Sequence, residues 1–157
     1  MSAGAIVYET FDEIQIWYVA FYSKRRPRSR LIHWLMHPDM MHCAMFKECG
    51  DKTLIIDPKE WGAGVSVVDI PITEAMEIEA SACSAMVSIV VDYSIINGYK
   101  PRGFYTCVSF IKTVLGLYKC SFVQTPLALY KLLLKYPNAT VIKPWSPYMR
   151  GKCPKVS

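Results

Sequence analysis

Residues 41–58, MHCAMFKECGDKTLIIDP, constrain the fold of this chain more than any other stretch. Apolar residues alternate along 41–49, and an apolar run returns over 52–58, as in the two strands of a hairpin. Gly50 and Asp51 supply a two-residue turn between them. A turn of that length pairs Cys49 with Lys52 and fixes every later pair, so that Ala44 faces Asp57 and His42 faces Lys59. Asp57 is then the diagonal same-face neighbour of His42, about 7–8 Å away between Cα atoms and within reach of a side-chain hydrogen bond. That is the geometry of a base held by its orienting carboxylate. It depends wholly on register, because a one-residue slip turns every side chain of a strand to the other face.

The remaining segments sort by periodicity. EIQIWYVAFY (13–22) is rich in β-branched and aromatic residues and reads as a strand. SKRRPRSR (23–30) around Pro27 is a loop, and LIHWLMHP (31–38) is helical for two turns at most before Pro38 stops it. GVSVVDIP (64–71) and MVSIVVDYS (86–94) read as further strands, the latter ended by NGYKPRG, and TEAMEIEASAC (73–83) is ambiguous. A helix follows from Cys107. A second is TPLALYKLLLKYP (125–137), with Thr125 as N-cap, Pro126 as first helical residue and Pro137 as stop. ATVIKP (139–144) reads as a last short strand. The expected class is α+β, an antiparallel sheet of about four to five strands packed against C-terminal helices. One domain spans 1–145, and 146–157 form a basic tail with no core pattern.

At 157 residues the chain is long enough to bury a core. Its composition is 52% hydrophobic, yet no apolar run approaches the ~18 residues a membrane span requires. The N-terminal MSAGAIVYETFDE lacks a basic n-region and an apolar h-region, so no signal peptide is expected. Six cysteines without disulfide-framework spacing point to reduced thiols in a cytoplasm. The net charge of +5 hides an asymmetry. Residues 1–92 hold 8 Lys+Arg against all 13 Asp+Glu, whereas 93–157 hold 10 Lys+Arg and no acid. That basic half favours a thiolate, and equally an anionic surface or nucleic acid as partner.

Within the basic half lies GFYTCVSFIKTVLG (103–116), where Phe110, Ile111, Val114, Leu115 and Tyr118 follow Cys107 at helical spacing. Cys107 falls in the first turn behind the potential cap Thr106, where the helix end stabilises negative charge by roughly 0.3–1 kcal/mol. The residues alone leave two readings open: a packed core thiol, or a thiolate nucleophile. The histidines available as its base are His33, His37 and His42. HWLMHPDMMHC gathers all three with Cys43, but Pro38 interrupts the helix and no CxxC or HExxH spacing appears, so neither metal nor cofactor is expected. Lys24, Arg25, Arg26, Arg28 and Arg30 offer a weak grip on an anionic partner without any nucleic-acid fold signature. Cys43, Cys49, Cys83, Cys120 and Cys153 read as structural or incidental.

HCAMF (42–46) and LIIDP (54–58), followed much later by FYTCVSFIKTVLGL (104–117) and TPLALYKLL (125–133), resemble the circularly permuted branch of the NlpC-type papain-like cysteine hydrolase superfamily. In that branch, which includes the lecithin–retinol acyltransferase group, the His strand precedes the Cys helix, as here. The phrasing around Cys107 is similar to short phage-encoded members. The resemblance spans roughly 41–135 and implies a permuted papain-like fold, with Cys107 as nucleophile, His42 as base and Asp57 as orienter. It further implies that the Cys107 backbone N–H helps hold the oxyanion. The substrate class implied is a peptide or isopeptide bond, cell-wall peptides included, or an acyl ester. The chain departs from many NlpC-type enzymes in having no histidine after His42. Phage particles also contain small papain-fold-like proteins, so the resemblance carries an alternative: a structural or accessory virion protein with protein partners. Four Trp, ten Tyr and eight Met supply interface material for that role. The expected location is accordingly the bacterial host cytoplasm or the virion.

Overall fold

The computed structural model describes residues 13–23, 37–59, 62–95, 106–117 and 119–146. Its strands are β1 (Ile14–Tyr22), β2 (His42–Cys49), β3 (Lys52–Lys59), β4 (Gly62–Val68), β5 (Ala85–Asp92) and β6 (Ala139–Lys143). Its helices are α1 (Ile72–Ala82), α2 (Cys107–Val114) and α3 (Pro126–Leu133). All six strands join one antiparallel sheet in the order β4-β3-β2-β1-β5-β6.

The β2–β3 hairpin closes as its turn chemistry requires. Gly50 takes φ +65°, a left-handed conformation that a side chain would strain, and Asp51 does not. A positive φ at the first central position alone is the sign of a type II′ turn, which matches the right-handed strand twist. Cys49 pairs with Lys52 and Met45 with Ile56, the register read from the sequence.

β1 lies between β2 and β5, and helices cover both faces of the sheet at this strand. Val19, Ala20 and Phe21 are therefore buried in succession, on alternate sides. Trp17, Val19 and Phe21 pack on one face with Met45 of β2, Val108 and Ile111 of α2, and Leu129 and Leu133 of α3. Tyr18, Ala20 and Phe46 pack on the other face beneath Ile72, Met76 and Ala80 of α1.

Three expectations need correction. Among the described residues the sheet has six strands rather than four or five, because β6 pairs with β5 and extends it. The ambiguous 73–83 segment is helix α1, so the helices are not all C-terminal and lie on both faces. Its packing stripe 72-76-80 runs at i, i+4, i+8 and carries alanine, which blunts the hydrophobic period. The strand expected over 86–94 stops at Asp92, whose carboxylate accepts from the Ser94 N–H at 2.9 Å and Ser94 hydroxyl at 2.6 Å and turns the chain.

Two polar links set where α2 sits. The Trp17 indole N–H donates to the Tyr93 hydroxyl at 2.8 Å, and that hydroxyl donates to the Val114 carbonyl at 2.9 Å, fastening the end of α2 to the central strand. From mid-helix, the Lys112 ammonium donates to the carbonyls of Cys120 and Val123, each at 2.8 Å, and ties α2 to the loop leading into α3.

Candidate active site

His42 opens β2, and Asp57 lies near the end of β3, so the hairpin register alone brings them together. The His42 Nε2 and Asp57 Oδ1 are 2.7 Å apart. His42 is buried and Asp57 half-buried, which shields the pair from competing water. A carboxylate at Nε2 holds the proton on that nitrogen, and the His42 ring, through its hydrogen bonding and charge, lowers the Cys107 thiol.

Cys107 is the first residue of α2. Thr106 precedes it with extended backbone and accepts the Ser109 N–H at 3.1 Å, while the Ser109 hydroxyl accepts the Thr106 N–H at 2.7 Å. This reciprocal cap is a capping box with serine in the place usually held by glutamate, and it starts the helix sharply. The first-turn N–H groups that the cap leaves unused give this helix start a positive potential, which favours negative charge at its first residues.

The Cys107 thiol is pulled down from the ordinary thiol value to about 5. The largest cause is a hydrogen bond from the Cys43 side chain; burial opposes it, and the hydrogen bond and charge of His42 and the Cys43 backbone act in the same direction as the first. Cys43 behaves oppositely. It is fully buried, and burial followed by its contact with Cys107 pushes its thiol well above the ordinary value, so it remains an S–H donor. Cys43 thus belongs to the site, contrary to its reading as structural or incidental. The signal was in the alternation of β2: Cys43 shares the helix-facing side with Met45, under the helix that Cys107 begins.

Tyr22 completes one wall. It is the register partner of His42, with ring centroids 6.2 Å apart, and its hydroxyl donates to the Glu79 carboxylate of α1. Burial and then Glu79 hold the phenol firmly protonated.

The structure therefore brings Cys107, His42 and Asp57 together. A thiolate beside an imidazole that a carboxylate orients can add to a carbonyl carbon and move a proton to its leaving group. His37 lies elsewhere, 3.8 Å from Asp39 and edge-on to Trp145. Lys24, Arg25, Arg26, Arg28, Arg30, His33 and Cys153 lie outside the described residues. Two cavities, of about 360 Å³ beside Leu115 and Tyr136 and about 510 Å³ beside Trp17 and Tyr93, are lined by none of the three residues. Among the described residues no helix is long and apolar enough to cross a membrane. Comparison of the chain with protein families, curated proteins and solved structures found no match.

Proposed function

We propose that this chain is a cysteine hydrolase or acyltransferase of the permuted NlpC-type papain-like kind, acting on a peptide, isopeptide or acyl ester bond. The observation that carries this reading is the convergence of a low-pKa Cys107 at a helix N-terminus with the His42–Asp57 pair. The Cys107 thiolate adds to the carbonyl carbon, and the oxyanion draws on the Cys107 backbone N–H at the helix start. The His42 imidazolium gives its proton to the departing amine or alcohol, leaving a thioester on Cys107. Neutral His42 then takes a proton from water, or from an acceptor alcohol or amine. The oxygen or nitrogen attacks the thioester, and the thiolate leaves. Asp57 keeps the ring in one tautomer throughout.

The test uses p-nitrophenyl acetate as a generic acyl donor. A burst of one p-nitrophenolate per chain, with an acetyl group on the Cys107 peptide and none in Cys107→Ala, supports the reading. Absence of acylation at Cys107 with this and with amide donors overturns it.

A second reading, a virion structural subunit with or without catalysis, is favoured by the apolar residues the sheet leaves exposed. Ile14, Ile16, Val65 and Val67 are each more than half exposed. Ile14 and Ile16 share one face with exposed Val90, the register partner of Ile16, and contiguous exposed apolar patches mark interaction sites. Its test is sedimentation of the wild type against Ile16→Lys, with a monomer in both cases counting against it.

A further inference from the structure

Acyl transfer employs the Cys107 sulfur but gives Cys43 no chemistry of its own. Cys43 is completely buried in the main core, where a free cysteine packs as a small apolar residue. Yet Cys107, at the start of the helix over β2, packs against the cluster that contains Cys43, each thiol acts on the other's ionisation, and both are free thiols in this structure. The other described cysteines have different surroundings. Cys83 belongs to the cluster under α1 on the opposite face, Cys49 is exposed at the hairpin turn, and Cys120 contacts Tyr136.

We propose that Cys107 and Cys43 form a peroxide-reactive dithiol, in which Cys107 is oxidised by a hydroperoxide and Cys43 resolves it as an intramolecular disulfide. The inference shares the Cys107 thiolate with the hydrolase reading and is independent of acyl transfer. In the first step the Cys107 thiolate attacks the terminal peroxide oxygen. An S–O bond forms as the O–O bond breaks, and the alkoxide or hydroxide released takes up a proton, giving a sulfenic acid and an alcohol or water. In the second step the Cys43 sulfur attacks the sulfenic sulfur. An S–S bond forms, the S–O bond breaks, and the Cys43 proton leaves with the hydroxide as water. Cys107 has lost two electrons to the peroxide in the first step, and the second only redistributes them between the sulfurs.

Geometry favours the second step. A disulfide requires sulfurs about 2.05 Å apart on Cα atoms about 4.4–6.8 Å apart. Cys43 faces the helix from β2, and Cys107 is that helix's first residue and packs against the same cluster, so both sulfurs belong to one strand–helix interface. Burial keeps Cys43 protonated and unreactive toward oxidants in solution, so Cys107 reacts first and Cys43 only with its neighbour. The disulfide blocks the nucleophile and spares it from the irreversible sulfinic and sulfonic acids, and a thiol reductant restores it.

The experiment exposes the reduced full chain to hydrogen peroxide, quenches with a thiol-blocking reagent, and maps peptides by non-reducing mass spectrometry. Wild type is expected to give a Cys43–Cys107 crosslink that dithiothreitol removes. Cys43→Ser is expected to give none, and instead to carry dimedone-trappable sulfenic acid and then sulfinic acid at Cys107. Cys43→Ala serves as a second variant if the serine, buried without a partner, unfolds the chain. A wild type that accumulates sulfinic acid at Cys107 as fast as the Cys43 variants, or that forms no crosslink, overturns the proposal. The outcome is separable from the hydrolase reading. Acylation of reduced Cys107 without a crosslink defeats the dithiol alone, and a crosslink without acylation defeats the hydrolase alone.

Discussion

Each residue of the site has a separable signature. His42→Ala removes the base and is expected to lower the rate of Cys107 acylation roughly 10²–10⁴-fold, the usual worth of a positioned proton carrier. Asp57→Asn keeps the size but loses the negative charge beside Nε2, and a fall of at least about tenfold is expected in the same assay. An unchanged rate in Asp57→Asn would leave the 2.7 Å contact without catalytic meaning. His42 and Asp57 were legible in the sequence because a two-residue turn leaves one register, and one register makes them diagonal neighbours. The role of Cys43 was not, since it depends on which helix lies over β2, a contact more than sixty residues away in the chain. Tyr22 was hidden for the same reason: its partner Glu79 lies on a helix whose apolar stripe the alanines of 73–83 obscure.

At the scale of elements, α2 is short and depends on its fastenings. Thr106→Ala removes the acceptor of the Ser109 N–H and is expected to cost about 1 kcal/mol in urea denaturation. Tyr93→Phe deprives both the Trp17 indole and the Val114 carbonyl of a partner, and about 1–3 kcal/mol is expected in the same measurement. A Tyr93→Phe chain as stable as wild type would show that this link does not set the position of α2. The caps at Thr106 and Thr125 could be read ahead because threonine before a helical period has a local meaning. The links through Tyr93 and Lys112 could not, because each joins segments whose adjacency only the tertiary fold creates.

For the whole molecule, the ionisation of Cys107 couples the site to stability. Its thiol titrates near about 5 in the folded chain and at the higher ordinary value when unfolded. Between those values the unfolded state binds a proton that the folded state does not, so stability rises with pH across that window. The contribution is fully present above the ordinary thiol value and is lost as the pH falls through about 5. The urea midpoint of wild type is therefore expected to climb more steeply from about pH 5 to about pH 8.5 than that of Cys107→Ser, and parallel curves would contradict the shift. The sheet sets a second expectation. β1 is paired on both sides and covered on both faces, so its amides should exchange last, while those of the edge strands β4 and β6 exchange early. The α+β class was legible because strand and helix periods occupy separate stretches. The sixth strand extended the sheet beyond the expected count because short, exposed β6 has its partner, β5, fifty residues earlier in the chain.

The most direct test of the central claim is the pH dependence of Cys107 alkylation by iodoacetamide, with the remaining cysteines followed in the same sample by mass spectrometry. The account predicts that Cys107 reacts fastest and with an apparent pKa near about 5, and that His42→Ala raises that value and slows the reaction at neutral pH. A Cys107 that reacts no faster than Cys49 or Cys120, with an ordinary thiol titration unaffected by His42→Ala, would contradict it and leave Cys107 as a packed core residue.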